Sequence, residues 1–461
     1  MNLSEIKKAY FIGIEGAGMS ALARILKLSG KDVSGSDEGD HFYYDGLKKV
    51  DIKIAHNFSE KNIPQDTNLI IYGSSFNVQK NSELAAAYKT KIPVISYAEA
   101  LGMIFNEKMG IAVCGTHGKT TTTAALAEAL RFSGADPSAI VGSKVLNWDG
   151  SSLAGTGKHF VAEADEYQNK LKFYDPFAVI LTNIDWDHPD YFRTFGDYKK
   201  VFADFVARIP HHGFLVAWGD SSNVIEAAKN AKCEIIKYGF LEDNDAISSK
   251  LKVQSSKLDS KVQKFNVKFA GKNLGDFEIQ IPGEHNILNA TAAIAVCHKL
   301  GIDMEKVREA LKNFRGTARR FEYVGVKNGA VLIDDYAHHP EEIKATLKAA
   351  REIYPEKNII TVFHPHTYTR TKALLQEFAQ SFNDANEAII IDIYGSAREV
   401  QGGVSSKDLV DLINKYNPEK AEYIPTIGEV TDYLKDKIGS DDVVISMGAG
   451  DVWKVTNKLK Q

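Results

Sequence analysis

Cysteine is scarce: Cys114, Cys233 and Cys297 are the three in 461 residues, too far apart for a disulfide framework, and no C-x-x-C pair offers a zinc site. An excess of charge of one sign is also lacking. The 56 Lys and Arg against 60 Asp and Glu leave a net charge of -4, which gives no broad electrostatic attraction to nucleic acid or to an anionic membrane. Any phosphate ligand must be held by local geometry. No apolar run approaches the roughly 20 residues that cross a bilayer. In "MNLSEIKKAYFIGIEGAGMSALARIL", Glu15 and three glycines interrupt what would have to be the apolar core of a secretory signal. These absences predict a soluble protein of a reducing cytoplasm.

The chain does have the balance of an ordinary globular protein, 44% hydrophobic and 25% charged, at a length that exceeds one hydrophobic core. Residues 1–105 alternate short apolar runs ("YFIGI", "NLIIYGSS", "IPVISY") with a helical pattern, "MSALARILKLSG", that stops at Gly30. That alternation predicts a parallel sheet with crossover helices. Residues 106–314 form a second α/β unit with strand-like "HFVAEA" and "FAVILTNI". Within it Phe265, Val267 and Phe269 alternate before a turn at Gly271 to Asn273, and Phe277, Ile279 and Ile281 follow, a hairpin pattern. Residues 315–461 read as strand "AVLIDD", helix "PEEIKATLKAAREI", strand "NIITVF", helix "TKALLQEFAQSF", and strands "EAIIIDIY" and "DVVISM". Pro340 suits the first helical position, with Glu341 and Glu342 favouring the positive end of the helix.

In "GIAVCGTHGKTTTTAALAEAL" a strand feeds a glycine turn that opens a helix, so that backbone N–H groups and the helix dipole point at whatever fills the turn. Gly115 and Gly118 let the backbone close around oxygens. Lys119 can neutralise terminal phosphates and the Thr120 hydroxyl can ligate Mg2+. Val113 stands where the longer G-x-x-x-x-G-K-[ST] pattern begins with Gly. The competing reading is a threonine-capped helix with an exposed lysine. Cys114 reads as a small buried strand residue. Acids for a metal are offered at two strand ends, Glu163 and Asp165 in "VAEADE" and Asp185, Asp187 and His188 in "LTNIDWDHPDY", which also suit plain solvated loops.

Two further loops carry chemistry. "GIEGAGMS" places Gly13, Gly16 and Gly18 after the first strand, with Asp37 at the end of the next; a dinucleotide site or a bare tight turn would both suit, although G-x-G-x-x-G is not met. "DDYAHHP", "HPHTYTRT" and "MGAGDVW" bring Asp335, His338, His339, His366, Arg370, Gly448 and Gly450 to one rim if the sheet is doubly wound. Adjacent His338 and His339 point apart in most backbones, so this rim reads as a site for an organic substrate before a zinc ion.

The ordered series "GIEGAGMS", "SGSD", "GTHGKTTTT", "EADE", "NIDWDH", "GEHNILNATAA", "GTARRFE", "DDYAHHP", "HPHTYTRT" and "MGAGD" resembles the Mur ligase family, the ATP-dependent amide-forming enzymes of peptidoglycan assembly. The resemblance implies an α/β protein of three domains: a Rossmann-like domain for a UDP-sugar, a central P-loop ATPase-like domain with a mostly parallel sheet, and a C-terminal Rossmann-like domain for an amino acid. It implies ATP and Mg2+, with UDP-N-acetylmuramate and L-alanine as substrates. By that transfer Gly13, Gly16, Gly18, Met19, Ser20, Asp37 and Ser74 meet the UDP-sugar. Gly115, Thr116, His117, Gly118, Lys119, Thr120, Thr121, Asn289 and Arg320 meet ATP, with Lys119 on the γ-phosphate. Thr120 and Glu163 hold magnesium, and His188 a second magnesium or the transferring group. Asp335, His338, His366 and Arg370 face the amino acid, Arg370 as a forked donor to its carboxylate. A base is wanted for the amine, and Asp335, His338 and His366 are the candidates.

Three departures from the family pattern stand out. Glu15 takes the place of a frequent glycine and sets a like charge beside the proposed phosphates unless it turns outward. The register of a carbamoylated lysine found in several relatives falls on Phe202, so no such modification is expected. Thr367 stands where an arginine is frequent in ligases that add alanine. Two alternatives remain open at this level: a ligase that attaches an intact tripeptide to the same sugar nucleotide, toward which "EADEY" and "DHPDYF" lean while "HPHTYTRT" and "DIYGSARE" lean to alanine, and a nucleotide-binding regulator without ligase chemistry.

Overall fold

The computed structural model describes residues 5–38, 43–74, 76–148, 150–251, 262–395, 399 and 401–461. They form three sheets in succession. The first contains β1 (Lys8–Ile12), β2 (Asp32–Ser36), β3 (Lys53–Ala55), β4 (Leu69–Tyr72) and β5 (Val94–Ser96) in the order β3-β2-β1-β4-β5, all parallel. The helix Ala17–Leu28 crosses from β1 to β2. It ends as the sequence predicts, with Ser29 as C-cap and Gly30 in the left-handed region just beyond.

The central sheet has ten strands: β6 (Met109–Cys114), β7 (Ser138–Val145), β8 (Gly150–Ala154), β9 (His159–Glu163), β10 (Ala178–Leu181), β11 (Phe214–Trp218), β12 (Glu234–Gly239), β13 (Ala246–Lys250), β14 (Gln263–Phe269) and β15 (Lys272–Ile279). Their order is β15-β14-β13-β12-β11-β10-β6-β9-β7-β8. The middle strands run parallel and are buried on both faces, which is why β10 is the unbroken apolar run Ala-Val-Ile-Leu. The predicted hairpin is β14–β15. Phe265 pairs with Phe277, Ala270 and Gly271 turn with positive φ, the register shifts between Val267 and Lys268, and Phe269, the last residue of β14, is only half-buried.

The third sheet contains β16 (Glu322–Lys327), β17 (Ala330–Asp335), β18 (Asn358–Phe363), β19 (Glu387–Ile390), β20 (Ala421–Tyr423) and β21 (Asp442–Met447), in the order β16-β17-β21-β18-β19-β20. All neighbours are parallel except the β16–β17 pair. The helix Pro340–Ile353 starts as predicted, with Pro340 in the first turn and His339 as N-cap. The single helix expected over "TKALLQEFAQSF" is instead two short ones, Tyr368–Ala373 and Leu375–Ala379, broken at Leu374 (φ -116°). The strand expected over "EAIIIDIY" stops at Ile390. Part of "DIYGSARE", residues 396–398, lies outside the described residues.

Candidate active site

The turn after β6 is shaped by Gly118, which caps the helix Lys119–Phe132 with φ 77°. A Cβ there would sit 2.6 Å from Asn289 Oδ1, so the turn needs glycine both for its conformation and for its contact with the helix Glu284–Lys299. The backbone N–H of His117 donates to Asn183 Oδ1 at 2.7 Å, and Thr182 Oγ1 donates to the His117 carbonyl at 2.7 Å. Thr116 Oγ1 lies 2.9 Å from the carbonyl of Asp185 and 3.0 Å from Tyr198 Oη. Thr121 is buried in the first helical turn. The reading of an exposed lysine is excluded. Lys119 is largely buried, folds back onto the carbonyls of Gly115 and Thr116, and pairs with Glu166 at 3.0 Å. Burial alone would lower its pKa, but Glu166, Asp165 and Glu163 raise it, so the ammonium stays charged. Cys114 is buried, and burial pushes its thiol well above the ordinary range.

Thr120 Oγ1 donates to Glu163 Oε1 at 3.0 Å, while Glu163 Oε2 accepts from the N–H of Gly142 at 2.7 Å. His188 belongs to a neighbouring cluster with Asp165 and Glu166, whose ligand atoms all lie within 4.8 Å of one another. The three predicted metal residues thus divide into the Thr120–Glu163 pair and a set built on His188. Hard oxygen donors with one imidazole, beside a turn made for phosphate, fit magnesium. Glu166 is the residue that sequence reasoning missed here, although it lies in the quoted "EADE". Asp185 approaches His117 Nε2 at 3.6 Å. Asp187 turns toward the third sheet and accepts from Arg370 Nε at 2.8 Å, with the two side chains 7% and 4% exposed. Against the cost of burial, Arg370 holds the Asp187 carboxyl well below the usual range.

Between the turn and the C-terminal sheet lies a cavity of about 530 Å³, lined by the turn, Asn286 and Asn289, Arg320, Asp335 and Glu342. Asn289 accepts from Thr122 Oγ1 at 3.1 Å and donates to Asn286 Oδ1 at 3.0 Å. The guanidinium of Arg320 stacks 5.0 Å from the Tyr336 ring. Arg320 is carried by a linker in which Arg319 and Phe321 both have positive φ, a strained conformation held by Arg319 donating to Asp334 and to the carbonyls of Gly448 and Gly450. In "MGAGD" the Gly448 and Gly450 carbonyls are thus taken by Arg319, and the Gly448 N–H donates to the Asp335 carbonyl at 3.2 Å. Asp335 spends both oxygens on the N–H groups of Phe321 and Ala337, at 2.8 and 2.7 Å, and burial raises its pKa to about 6. Glu342, expected only to favour a helix start, is 12% exposed and lies 3.1 Å from His117 Nδ1 and 3.2 Å from His338 Nδ1. Burial would raise its pKa, but His338 and His117 hold it well below the usual range. Burial lowers His338 to about 3 and His366 to about 4.

His366 Nδ1 lies 3.1 Å from Arg370 Nη1, and its ring stacks on Tyr394. Arg370 therefore has its Nε and Nη1 groups engaged by Asp187 and His366, not presented as an open fork. Thr367 has φ 68° and its side chain accepts from the Arg370 N–H, capping the short helix. In the first domain, Gly13 has φ 82° and a Cβ there would collide with the Phe76 ring, while Gly16 caps the helix and Gly18 lies under Tyr97. Met19 and Ser20 are buried in its first turns, with Ser20 Oγ donating to the Ala17 carbonyl. Ser74 is half-buried beyond the end of β4. Asp37 accepts the N–H of Glu15 at 2.7 Å. Glu15 is 1% exposed and so does not turn outward. Phe202 is fully buried in the core, and neighbouring Lys199 and Lys200 pair with Glu226 and Asp204.

A strand, a glycine turn and a helix that bring Lys119 and Thr120 to paired acids, at the carboxyl edge of a mostly parallel sheet, define a phosphate-loop enzyme with a flanking α/β domain on either side. Family models match each part in turn: "Mur ligase family, catalytic domain" over residues 8–109, "Mur ligase middle domain" over 113–297 and "Mur ligase, glutamate ligase domain" over 319–450. The chain belongs to the Mur ligase family. It is 40% identical over 453 residues to a UDP-N-acetylmuramate–L-alanine ligase of Desulfitobacterium hafniense, covering 98% of both chains. It is 41% identical over 462 residues to the ligase of the same name from Caldanaerobacter subterraneus, covering 100% of this chain and 98% of that one. Among solved structures it is similar to the UDP-N-acetylmuramate-alanine ligase of Thermotoga maritima, with a TM-score of 0.80, 26% identity and 98% of each chain covered. A murein peptide ligase of Psychrobacter arcticus shares the fold, with a TM-score of 0.74 at 23% identity.

Proposed function

We propose that the protein joins L-alanine to the lactyl carboxylate of UDP-N-acetylmuramate at the expense of ATP, releasing ADP and phosphate, as a step of peptidoglycan precursor synthesis. The observation that carries this reading is end-to-end likeness to alanine ligases at about 40% identity, through all three domains. Residues 1–105 take the UDP-sugar through Gly13, Gly16, Gly18, Met19, Ser20, Asp37 and Ser74. Residues 106–314 bind ATP, and residues 315–461 bring the amino acid to His338, His366 and Arg370. ATP and the sugar nucleotide as substrates place the enzyme in the cytoplasm.

The lactyl carboxylate attacks the γ-phosphate to give an acyl phosphate, and the amine then displaces phosphate to form the amide. Phosphoryl transfer asks chiefly for positioning and charge neutralisation. Lys119 supplies a fixed cation at the turn. The N–H groups of the first helical turn face the phosphate oxygens, and Asn289, Arg320 and Thr121 line the same cavity. Magnesium held by Thr120 and Glu163, with Asp165, Glu166 and His188 alongside, would neutralise phosphate charge. Asp335 clamps the linker that carries Arg320 and so positions that cation.

The test is phosphate release from ATP with UDP-N-acetylmuramate and either L-alanine or the tripeptide L-alanyl-γ-D-glutamyl-meso-diaminopimelate. Turnover with L-alanine is expected. Turnover only with the tripeptide overturns the assignment of the amino acid, and ATP binding without ADP formation on either substrate overturns the ligase reading.

A further inference from the structure

Three side chains compete for the role of proton acceptor in amide formation, and their hydrogen-bond partners separate them. Asp335 accepts one backbone N–H on each oxygen, from Phe321 and Ala337, which fixes its carboxylate on the linker and the strand end. The Nδ1 of His366 faces the Arg370 guanidinium at 3.1 Å. Arginine can only donate, so this nitrogen is the acceptor and the proton of the neutral ring sits on Nε2. That leaves His366 no free lone pair. His338 is the opposite case. Its Nδ1 faces two acceptors, the Tyr336 carbonyl at 3.0 Å and Glu342 Oε2 at 3.2 Å. The ring proton therefore sits on Nδ1, and Nε2 carries the lone pair. Three further histidines lie nearby, and His285 Nε2 accepts from Asn286 Nδ2 at 3.1 Å. His339 Nε2 is 3.3 Å from the Trp186 carbonyl, and its Nδ1 accepts the Glu341 N–H. His117 faces Glu342 with one nitrogen and Asp185 with the other.

We infer that Glu342 is a positioning residue that holds His338 Nε2 as the acceptor of the amine proton, and that the same carboxylate ties His338 to the phosphate turn through His117. One carboxylate makes both connections. Its Oε2 takes the ring Nδ1–H and the backbone N–H of His338, the latter at 3.0 Å, while Oε1 takes His117 at 3.1 Å. His117 lies within the turn, between Gly115 and Gly118, so the group that orients the base is anchored on the loop that holds phosphate. Arg320 Nη1, 3.9 Å from Oε1, adds a second cation. His338 in turn lies between this anchor and the His366–Arg370 group, its ring 6.1 Å from that of His366. The arrangement is that of a carboxylate fixing the tautomer of a catalytic imidazole through the nitrogen away from the reaction.

The inference rests on the ligase reading given above. Alanine, bound as the free amine, places its nitrogen lone pair on the acyl carbon, and the N–C bond forms. The nitrogen becomes acidic as it does so and passes one proton to Nε2. The C–O bond to phosphate breaks with its electron pair leaving on phosphate, and the imidazolium returns its proton to water.

The experiment uses the full-length enzyme with ATP and UDP-N-acetylmuramate, measuring phosphate release with either saturating L-alanine or hydroxylamine. Hydroxylamine is a nucleophile already unprotonated and reactive at neutral pH, which traps the acyl phosphate without a base. Glu342→Gln and His338→Ala are expected to lower the alanine rate by roughly 10²-fold or more while the hydroxylamine rate changes by less than about threefold. The double variant is expected to be no slower with alanine than His338→Ala. A parallel fall in both rates, or a wild-type alanine rate in Glu342→Gln, overturns the inference. Absence of phosphate release by the wild type with either nucleophile would instead overturn the ligase reading on which it rests.

Discussion

Replacement of Gly118 by alanine isolates what the phosphate turn demands. At φ 77° an L-residue costs about 1–2 kcal/mol over glycine. The new Cβ would lie 2.6 Å from Asn289 Oδ1, and Asn289 must move away from Thr122 and Asn286, with which it bonds at 3.1 and 3.0 Å. Each such bond contributes about 0.5–1.5 kcal/mol net, so the whole perturbation amounts to roughly 2–5 kcal/mol. Gly118, Asn286 and Asn289 all line the cavity beside the turn. A cost of even 2 kcal/mol converts to about 30-fold in affinity. Gly134 provides the control: its φ is 87°, and nothing lies within 4 Å of an added Cβ. Gly134→Ala should lower stability by about 1 kcal/mol and leave nucleotide affinity within about twofold, because no cavity residue moves. Calorimetric titration with ADP and Mg2+, alongside urea unfolding, measures both quantities. Equal nucleotide affinities for the two variants would refute the reasoning.

Lys119→Ala should abolish ADP formation and spare binding of UDP-N-acetylmuramate, since the proposed function assigns the sugar nucleotide to the first domain; loss of both in a calorimetric titration would contradict that division. Glu163→Gln leaves Thr120 a partner but removes the charge, so the Mg2+ concentration for half-maximal rate should rise by roughly tenfold, and an unchanged Mg2+ dependence would rule out this ligand. His285, His338 and His366, lowered by burial from 6.5 to about 4, 3 and 4, stay neutral in the folded protein. The unfolded chain then binds more protons below pH 6.5, so they cost the fold stability as pH falls from there toward 4, while Asp335, raised to about 6, works in the opposite sense. In NMR titrations these three rings should not protonate by pH 5, and ordinary titration of all three near 6.5 would refute their burial as the cause.

Much of this arrangement was legible in the sequence where local pattern and tertiary role coincide. Apolar strands such as "AVIL", the Gly30 stop and the Pro340 start depend on neighbours in the chain and could be read there. The phosphate turn was legible because Gly118, Lys119 and Thr120 work as one backbone unit. What escaped depends on partners far away in sequence. Glu342 looks like one of two acids at a helix start, and only the approach of His117, 225 residues earlier, gives it another part. Glu166 is hidden beside Glu163 until Lys119 folds onto it. Arg370 reads as a forked carboxylate donor until the fold brings Asp187 to its Nε. The break at Leu374 was invisible because "TKALLQEFAQSF" contains no glycine or proline.

In the third sheet the last strand in sequence, β21, lies between β17 and β18 and is the partner of both. During synthesis the chain lays down the two flanking strands more than 75 residues before the strand that joins them. Domains fold as units as they emerge, and this unit lacks the strand between β17 and β18 until Met447 has left the ribosome. The first two sheets hold no strand from beyond residue 279 and have no such wait. A paused or prematurely released chain would therefore carry a finished nucleotide turn beside the exposed apolar edges of β17 and β18, which makes this third domain the one most exposed to chaperones and proteases at birth.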